Sequence, residues 1–552
     1  KEKEVPDISK EVKTARRVMR EKFLTAEMGV SGANAAVAET GTVITMSNEG
    51  NGRMVGTLPA SHMYIFGIEK FVAKMSDIRY IFKVLPRNGT AQNLTTYLSF
   101  YTGATDVVTD PENDTKQKKS FHIIILDTPE RRKIMNDPDY KDIFCCIRCA
   151  ACLNVCPAFR LVGGHVYGGS IYTGGIGTLL TAFLNSRERG KEIQNICLQC
   201  GTCNTVCGGK LDIAGMILKL RTKYAQEDGL NPIHKFCLDT VADRHLFHSM
   251  LRIASVAQGA ITKGQPMIRH MPMFLSGLTS GRSLPSIAPQ PFRDVLPTIK
   301  QDVPNPKGKI AIFTGCLLDF VYVDIATAVV KALNMAGYVV EMPLGQSCCG
   351  APATYMGDAE NAKKEAALNI EAMEAEKYDY IVSACPTCTH ALRDYKEMFK
   401  DDPEMYKKAS ELSDKSYDFS KLLHMLGGLP DNGDGVPMKV TYHDSCHMKR
   451  YMGVYKEQRE LLEGTKGVEI VEMNNCDKCC GFGGSYSIKF PEMSAPMLEE
   501  KIDNIVATGA DTVAVDCPGC LLQIKGGLDA RGLNNIQVKH TAQILVEKRE
   551  KQ

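Results

Sequence analysis

Two identical runs of four cysteines constrain this chain more than any other feature of its sequence. Within each run the cysteines are separated by two, two and three residues, and each cysteine of the first run recurs 51 residues later. The chain has 21 cysteines among 552 residues, and most stand in tight groups. Disulfide scaffolds are usually short, so grouped cysteines in a long chain rich in helix formers predict metal binding instead. The two runs are Cys146-x2-Cys149-x2-Cys152-x3-Cys156 and Cys197-x2-Cys200-x2-Cys203-x3-Cys207.

The spacing of these runs is that of bacterial ferredoxins that carry two cubane [4Fe–4S] clusters. Three cysteines of a run wrap one cube, and the fourth crosses to the other cube. A pair of zinc sites is the alternative, but a four-cysteine run with a final gap of three residues fits zinc poorly. Gly208 stands where the second run would carry the usual proline, which shapes a turn and ligates no iron. The predicted ligand sets are Cys146, Cys149, Cys152 and Cys207 for the first cubane, and Cys197, Cys200, Cys203 and Cys156 for the second.

A different cysteine pattern occurs twice in the C-terminal half. Each copy has a single cysteine, then a Cys-Cys-Gly element, then a Cys-Pro-x-Cys element. Equivalent cysteines of the two copies are 130 to 132 residues apart, which indicates an internal duplication. The single cysteine and the Cys-Pro-x-Cys element each follow a predicted strand, and ligands bind at the carboxyl ends of strands in open α/β sheets. The copies are Cys316, Cys348-Cys349-Gly350 and Cys385-x2-Cys388, then Cys446, Cys479-Cys480-Gly481 and Cys517-x2-Cys520.

This duplicated pattern resembles the CCG-domain family, which includes the catalytic subunit of heterodisulfide reductase and iron–sulfur subunits of lactate, glycolate and glycerol-3-phosphate dehydrogenases. In the reductases each five-cysteine motif binds a noncubane [4Fe–4S] cluster. Five thiolates also exceed the four ligands of an ordinary zinc site. The resemblance therefore implies one or two noncubane clusters, the first held by Cys316, Cys348, Cys349, Cys385 and Cys388 and the second by Cys446, Cys479, Cys480, Cys517 and Cys520.

The other cysteines and two histidines are predicted to have roles other than metal ligation. Cys145 and Cys237 are expected to be plain buried thiols. Cys476, beside the second Cys-Cys-Gly element, is expected to be a spare thiol. For His443 and His447, which flank the single cysteine of the second copy, hydrogen bonding within the fold is favoured over metal ligation.

The N-terminal segment from Phe23 to Lys70 resembles the lactate-utilisation (LUD) family. The stretches Cys146 to Pro157 and Gly163 to Leu180 resemble the iron–sulfur lactate-utilisation subunit that joins this domain to a ferredoxin module, and the C-terminal half resembles its CCG-containing partner subunit. The chain is therefore similar to a fusion of two lactate-utilisation subunits. In the family a longer portion precedes the Phe23 segment, and the first residue here is Lys1, so we expect this sequence to begin inside the LUD domain.

Several polar residues of the LUD-like segment are candidates for a site, although the sequence assigns no catalytic residue. Arg53, for example, can bind a carboxylate through its planar guanidinium group. The alternative is that these residues satisfy turns and strand ends. The candidates are Asn34, Glu39, Thr40, Asn48, Glu49 and Arg53.

The sequence predicts a multidomain protein in four parts. Six prolines stand between positions 285 and 306, which favours an extended linker there. The Met-rich segment 267–278 can touch a membrane surface or a partner, with ordinary packing as the alternative. The predicted parts are a partial, N-terminally incomplete LUD-type α/β domain (1–135), an α-helical two-[4Fe–4S] ferredoxin-like domain (136–250), a Pro-rich linker (251–308) and a duplicated α/β CCG domain (309–552, with copies 309–430 and 437–552).

Composition and missing motifs exclude other functions. The chain has 66 Lys+Arg and 64 Asp+Glu, a net charge of +2, so no basic surplus exists to neutralise nucleic-acid phosphates. No apolar run of about 18 residues predicts a membrane-spanning helix. No Rossmann G-x-G-x-x-G follows a predicted strand, so no NAD or flavin site of that type is seen. A hydride acceptor would then lie on another subunit, and we expect a multi-subunit complex.

The resemblance implies an oxidoreductase, namely the iron–sulfur electron-transfer subunit of a lactate dehydrogenase complex. Such a subunit passes electrons from the oxidation of lactate to pyruvate towards a quinone or another carrier. The implied partners are a flavoprotein dehydrogenase or a small LUD subunit, and the catalytic step lies either here or on that partner. Because cluster thiolates need a reducing compartment, the predicted location is cytoplasmic, with peripheral attachment to the inner face of the membrane as a variant.

Three alternative functions stay open at this point. The first is a thiol–disulfide oxidoreductase of the heterodisulfide reductase type. The second is an iron–sulfur subunit of a glycolate or glycerol-3-phosphate dehydrogenase. The third is a non-catalytic interaction protein with structural zinc. The LUD-like segment favours the lactate interpretation over the first two, and metal analysis separates the third.

Overall fold

The structure is a computed structural model in which the chain forms two compact units. It describes residues 7–104, 106–110, 115–262, 265, 267–269, 279, 281–430 and 434–550. No helix of this described part is both long enough and apolar enough to cross a membrane. The first unit comprises Lys1–Val155, Leu179–Arg187 and Val206–Asp212, and the second comprises Cys156–Thr178, Glu188–Thr205 and Ile213–Gln552.

The N-terminal part of the first unit is a mixed α/β domain, as the sequence predicts. Strands β1, β4 and β9 form a parallel sheet, β5-β2-β3-β6 form a mixed sheet, and β7 pairs with β8 in an antiparallel hairpin. Its elements are α1 (Ile8–Thr25), β1 (Met28–Ser31), β2 (Ala35–Val37), β3 (Thr42–Ser47), α2 (Asn51–Thr57), β4 (Ser61–Gly67), β5 (Phe71–Val72), α3 (Ile78–Thr90), β6 (Tyr97–Tyr101), β7 (Asp106–Asp110), β8 (Thr115–Lys118), β9 (Ser120–Leu126) and α4 (Pro129–Asn136).

Helices carry the two cysteine runs and the segment after them. Side-chain caps define where the longer ones begin: Asn231 accepts from the backbone of Ile233, and Asp243 accepts from the backbone of His245 and Leu246, so each satisfies amide groups that the first helical turn leaves free. The predicted helical character is confirmed. The helices are α5 (Ala151–Asn154), α6 (Pro157–Val166), α7 (Gly174–Leu184), α8 (Arg187–Ile193), α9 (Thr202–Val206), α10 (Ile213–Asp228), α11 (Pro232–Ala242), α12 (Arg244–Ala257) and α13 (Gly259–Thr262).

Parts of the stretch predicted as a Pro-rich linker pack against the C-terminal half. Strands β10 (Met267–Ile268) and β11 (Leu284–Pro285) pair with each other, and the short helix α14 (Phe292–Val295) follows. Phe292 is fully buried in the C-terminal core. Phe292 thus covers part of the C-terminal core although the stretch is rich in proline. Most of the Met-rich segment, residues 270–278, lies outside the described residues, and the boundaries of the four domains stay predictions.

The C-terminal half contains two modules with the same topology. The strand orders are β13-β12-β14-β15 and β17-β16-β18-β19, and every pairing is parallel. The equal orders agree with the duplication inferred from the cysteines. The first module has β12 (Gly308–Ile312), α15 (Leu317–Phe320), α16 (Val323–Met335), β13 (Tyr338–Glu341), α17 (Ala351–Met356), α18 (Ala359–Met373), β14 (Tyr380–Ser383), α19 (Pro386–Met398), α20 (Pro403–Lys415), β15 (Ser416–Asp418) and α21 (Phe419–Met425).

The second module pairs with the first through equivalent helices. Helix α16 of the first module packs on α26 of the second, and α22 of the second packs on α21 of the first. The two contacts are reciprocal, because α16 corresponds to α22 and α21 corresponds to α26. The second module has β16 (Met438–Tyr442), α22 (Glu457–Glu463), β17 (Val468–Ile470), α23 (Tyr486–Lys489), α24 (Pro491–Val506), β18 (Thr512–Ala514), α25 (Pro518–Ala530), β19 (Gln537–Lys539) and α26 (Thr541–Glu550).

The packed stretch gives a first testable prediction. The backbone N–H of Ser283 donates to Gly526 O at 3.0 Å, and a Cβ at Gly526 would collide with Ser283 O. Gly526→Leu is therefore expected to displace the stretch, to lower the free energy of unfolding by about 1–3 kcal/mol and to open residues 283–308 to limited proteolysis. Gly259→Ala, where an added Cβ meets open space, is the control and should leave the cleavage pattern unchanged. Equal cleavage of the two variants would show that the stretch is not anchored here.

Candidate iron–sulfur sites

The first unit gathers three cysteines of the first run and the last cysteine of the second. Burial raises the pKa of the Cys152 thiol to about 11, and electrostatic repulsion by Cys146, Cys149 and Cys207 contributes. Cys146 accepts a backbone hydrogen bond from Arg148. The loop between the cysteines turns through left-handed backbone at Arg148 (φ 61°) and Ala150 (φ 62°). The group brought together is Cys146, Cys149, Cys152 and Cys207.

The second unit gathers the complementary set around a buried tyrosine. Tyr167 is 1% exposed and interacts electrostatically with Cys156, Cys197 and Cys203. Cys200 interacts in the same way with Cys156 and Cys197. Burial, together with the charges of Cys200 and Cys197, raises the pKa of the Cys156 thiol to about 12. The loop of this run has left-handed backbone at Gln199 (φ 59°) and Gly201 (φ 71°), which are the positions equivalent to those in the first run.

The fourth cysteine of each run lies in the unit that holds the first three of the other run. Cys207 belongs to the first unit and Cys156 to the second. The structure therefore brings together the two sets that the ferredoxin spacing predicts. The grouping is an observation, whereas iron ligation by these eight thiols stays a prediction.

In the first module of the C-terminal half, the five cysteines form a connected group at the carboxyl ends of β12 and β14. Cys348 and Cys349 are 1% and 5% exposed. The Cys349 thiol accepts hydrogen bonds from Cys348 and Cys388, and its pKa falls to about 6 as a result. The connections run Cys316–Cys348, Cys348–Cys349, Cys349–Cys388 and Cys388–Cys385.

The second module repeats this arrangement with one difference. Cys479 contacts Cys480, Cys480 contacts Cys520, and Cys520 contacts Cys517. Cys446, the single cysteine of this copy, senses the charges of Cys480 and Cys517 and makes no hydrogen bond to another thiol among the described residues. The predicted five-cysteine set is again assembled, and its ligand role stays a prediction.

The two modules meet through equivalent cysteines. Cys385 and Cys517 begin helices α19 and α25, each followed by a proline at the first helical position. The two thiols are hydrogen-bonded, and Cys517 has a pKa well below its usual value because Cys385 and Cys520 donate to it. A helix N-terminus also favours a thiolate. The sulfur groups of the two modules are thus contiguous.

The Cys-Cys-Gly elements depend on glycine for their backbone conformation. Gly350 (φ +77°) and Gly481 (φ +85°) are in the left-handed region. A Cβ at Gly481 would lie 2.6 Å from Ser494 O, so the backbone could not approach α24 with any side chain there. These glycines set the position of the adjacent pair of cysteines.

Within the second unit, the first three cysteines of the second run lie directly against the second module. Tyr451 Oη donates to Gln199 O at 2.8 Å, and Arg450 Nη1 donates to Cys200 O at 3.3 Å. Cys446 senses the charge of Cys200. Within this unit, thiol groups therefore follow one another from the second run through the second module to the first module.

Aromatic rings and histidines fill the space between these groups. Tyr355 Oη and His447 Nε2 are 2.6 Å apart, and His447 stacks on Tyr451 with ring centroids 5.1 Å apart. His390 lies 4.9 Å from Tyr451 by the same measure. His447 makes the structural hydrogen bond expected from the sequence. Arg221 donates to Cys197 O at 3.1 Å and to Tyr355 O at 2.6 Å, which ties the second run to the first module.

Two expectations about single cysteines are wrong. Cys145 and Cys237 were expected to be buried, and both are exposed. Cys237 lies on α11, whose buried positions Leu238 and Ala242 are one turn apart, so the neighbouring position faces outward. Cys145 ends the turn before the first run rather than entering the core. Cys476, expected from the sequence to be a spare thiol, is half-buried, and its Sγ lies 3.5 Å from Asp444 Oδ2.

Each polar candidate in the LUD-like segment has a local partner. Asn34 Oδ1 accepts from Met46 N at 2.8 Å, and Asn48 Oδ1 accepts from Thr96 N at 3.1 Å. Such contacts are expected if these side chains satisfy hydrogen bonds at turns and strand ends. A site role for the six residues stays a prediction. The other contacts are Glu39 Oε2 with Met75 N, Thr40 Oγ1 with Thr42 Oγ1, Glu49 Oε2 with Ser47 Oγ, and Arg53 over the Tyr97 ring.

Glu365, which belongs to none of the sequence motifs, lies beside the cysteines of the first module. Its side chain is 3% exposed and hydrogen-bonds Cys348, and burial raises the pKa of Glu365 to about 8. Helix α18 also buries Ala362, Ala366 and Asn369. A carboxyl group on the apolar face of a helix was the signal that could have identified it.

Comparison with known proteins agrees with this organisation. The LUD domain family matches residues 1–126, the 4Fe-4S dicluster domain matches 142–211, and the Cysteine-rich domain matches twice, at 310–393 and 440–525. The geometry and these matches define a multidomain iron–sulfur protein. A hypothetical protein from Helicobacter pylori of known structure has a TM-score of 0.43 and 9% identity over 78% of each chain.

The relatives identify the family more narrowly. The chain is 40% identical to lactate utilization protein A of Shouchella clausii over 43% of this chain and 99% of that protein. It is 30% identical to the probable glycolate oxidase iron-sulfur subunit of Bacillus subtilis over 76% of this chain and 97% of that protein. The chain belongs to the family of iron–sulfur subunits that these two proteins represent.

Proposed function

We propose that this protein is the iron–sulfur electron-transfer subunit of a lactate-oxidising complex. The observation that carries the proposal is the series of thiol groups in the second unit, from the second cysteine run through Cys446 to the adjoining pair Cys385 and Cys517. When bound, [4Fe–4S] clusters exchange single electrons. The residues that would hold them are the eight cysteines of the two runs and the five cysteines of each C-terminal module.

The residues present fit such clusters. Each predicted set takes three thiols from one run and one from the other, which is the ferredoxin donor set. Each C-terminal module supplies five largely buried thiols, one more than a zinc site takes. Gly481 leaves no room for a side chain beside the paired cysteines. In each C-terminal module the parallel sheet fixes the strand ends that carry the single cysteine and the Cys-Pro-x-Cys element.

Neighbouring residues of the chain hold the cysteine groups next to one another and exclude water from them. Tyr451 and Arg450 bind the backbone of the second run. Cys479, Tyr486 and Met497 pack with the residues around that run in one buried cluster. Burial of this kind lowers the local dielectric, so a cluster there would be shielded from water.

Lactate as substrate rests on the names of the relatives and on the LUD domain. We propose that a flavoprotein or small LUD subunit oxidises lactate to pyruvate, and that a quinone or another carrier accepts the electrons. A cytoplasmic location follows from the need of thiolate ligands for a reducing compartment. Attachment to the membrane would occur through the partners or the Met-rich segment.

Lactate-dependent reduction tests the proposal directly. The full chain would be purified anaerobically with its co-purifying partners and mixed with lactate, and the iron–sulfur signal would be followed by electron paramagnetic resonance. Reduction by lactate is the expected result. A chain with zinc and neither iron nor sulfide would overturn the electron-transfer proposal, and turnover of a heterodisulfide without response to lactate would favour the reductase alternative.

Glycolate is a second candidate substrate, because the relative that spans 76% of this chain is named as a glycolate oxidase subunit. The same preparation distinguishes the two. Faster cluster reduction with glycolate than with lactate would assign the chain to a glycolate-oxidising complex. Glycerol-3-phosphate serves as the third substrate in the comparison.

A further inference from the structure

His443 is a buried histidine whose free nitrogen faces two cysteines of the second module. It follows β16 and is 1% exposed. Nδ1 lies 3.1 Å from Cys476 O, and since a carbonyl oxygen only accepts, Nδ1 carries the proton and donates. Nε2 is then a bare lone pair. It is buried, has no partner within ordinary hydrogen-bond distance among the described residues, and faces the Cys480 thiol, with which it interacts.

This nitrogen belongs to a group of possible metal ligands. His443 and the thiols of Cys480 and Cys520 place their ligand atoms within 4.8 Å of one another, and all three residues are buried. Histidines that bind metals almost always donate their other ring N–H to a carboxylate, a backbone carbonyl or water, which fixes the tautomer. His443 has this second contact already, through Cys476 O.

The first module has no such nitrogen. Phe313 N donates to Val382 O at 2.8 Å and His443 N donates to Ala514 O at 3.0 Å, which makes Phe313 the structural equivalent of His443. The flanking residues are in the same register of the two sheets. Phe313 is fully buried and offers no ligand atom. The duplicated sites therefore differ in their donor atoms.

We propose that His443 Nε2 is a metal ligand in the second module, beside Cys480 and Cys520, and that the two modules hold chemically different iron–sulfur sites. This inference rests on the proposed iron–sulfur function.

Nitrogen coupling in pulsed electron paramagnetic resonance tests the ligand directly. The full chain would be labelled with ¹⁵N-histidine, purified anaerobically and poised in the paramagnetic state of the C-terminal clusters. The expected result is a nitrogen coupling that changes with the label, is lost in His443→Phe and is kept in His424→Gln. His424 is a matched control because it is half-exposed and pairs with Glu460 instead.

Further variants keep the test decisive. His443→Cys retains a donor and must also lose the coupling, so a folding failure of His443→Phe does not end the experiment. Phe313→His is expected to add a second nitrogen coupling. An iron–sulfur signal without nitrogen coupling, or a coupling that survives in His443→Cys, would overturn the inference and leave the proposed function standing. Absence of any iron–sulfur signal would overturn both.

Discussion

Cys207→Ser is expected to remove about four irons per chain, all from the cluster of the first run, and to leave the second run's cluster in place. The reason is the exchange of fourth cysteines: Cys207 lies with the first run in the first unit, and Cys156 lies with the second run in the second unit. Cys156→Ser should have the reciprocal effect. Iron and acid-labile sulfide, measured after anaerobic purification, give the loss.

Double variants identify which cluster is lost. Cys207→Ser combined with Cys149→Ser should lose no more iron than either change alone, since both serve one cluster. Cys207→Ser combined with Cys200→Ser should lose about twice as much, because the two changes affect different clusters. Cys145→Ser is the control, an exposed thiol next to the first run, and should change nothing. The reverse pattern in the double variants would contradict the exchanged ligand sets.

Arg293→Met is expected to lower the free energy of unfolding of the C-terminal half by about 3–5 kcal/mol. Asp319 is fully buried, and Arg293 holds it with three hydrogen bonds, from the backbone N at 3.1 Å, from Nε at 2.8 Å and from Nη2 at 2.5 Å. Removing the guanidinium leaves a buried carboxylate without its charge partner. Thermal or denaturant unfolding of the full chain, followed by far-ultraviolet circular dichroism, measures the loss.

A neighbouring ion pair gives a matched control. Arg252 also binds an aspartate through two guanidinium nitrogens, at 2.6 and 3.0 Å, but both Arg252 and Asp294 are largely exposed. Arg252→Met should therefore cost at most about 1 kcal/mol. The double variant Arg293→Met with Asp319→Leu should recover much of the lost stability, since it removes the buried charge as well. Equal losses for the two single variants would rule out the burial argument.

Local spacing allowed much of the site to be predicted from sequence. Each ferredoxin-type run spans only about a dozen residues, so its spacing is visible in the sequence. The left-handed backbone of the loop recurs at equivalent positions of the two runs, such as Arg148 and Gln199. The constant offset between the Cys-Cys-Gly modules likewise predicted two equal sheets, which the structure contains. In both cases neighbouring residues carry the constraint.

Contacts between distant segments could not be read in this way. Cys385 meets Cys517 only because two separate sheets place their strand ends together. His443 gains a metal-ligand geometry from Cys476, Cys480 and Cys520, all more than 30 residues away. Burial was misjudged for the same reason at Cys237, since a sequence window does not show which side of α11 meets the rest of the fold.

The meeting of Cys385 with Cys517 has a consequence for the origin of the C-terminal half. These cysteines are equivalent positions of the two modules, and such a contact is expected where a two-fold axis relates two copies. The reciprocal packing of α16 on α26 and of α22 on α21 has the same symmetry. The half is therefore a pseudo-symmetric dimer joined into one chain, which points to a single-module ancestor that paired with a second copy of itself. Fusion then freed each copy to diverge, as Phe313 and His443 have done.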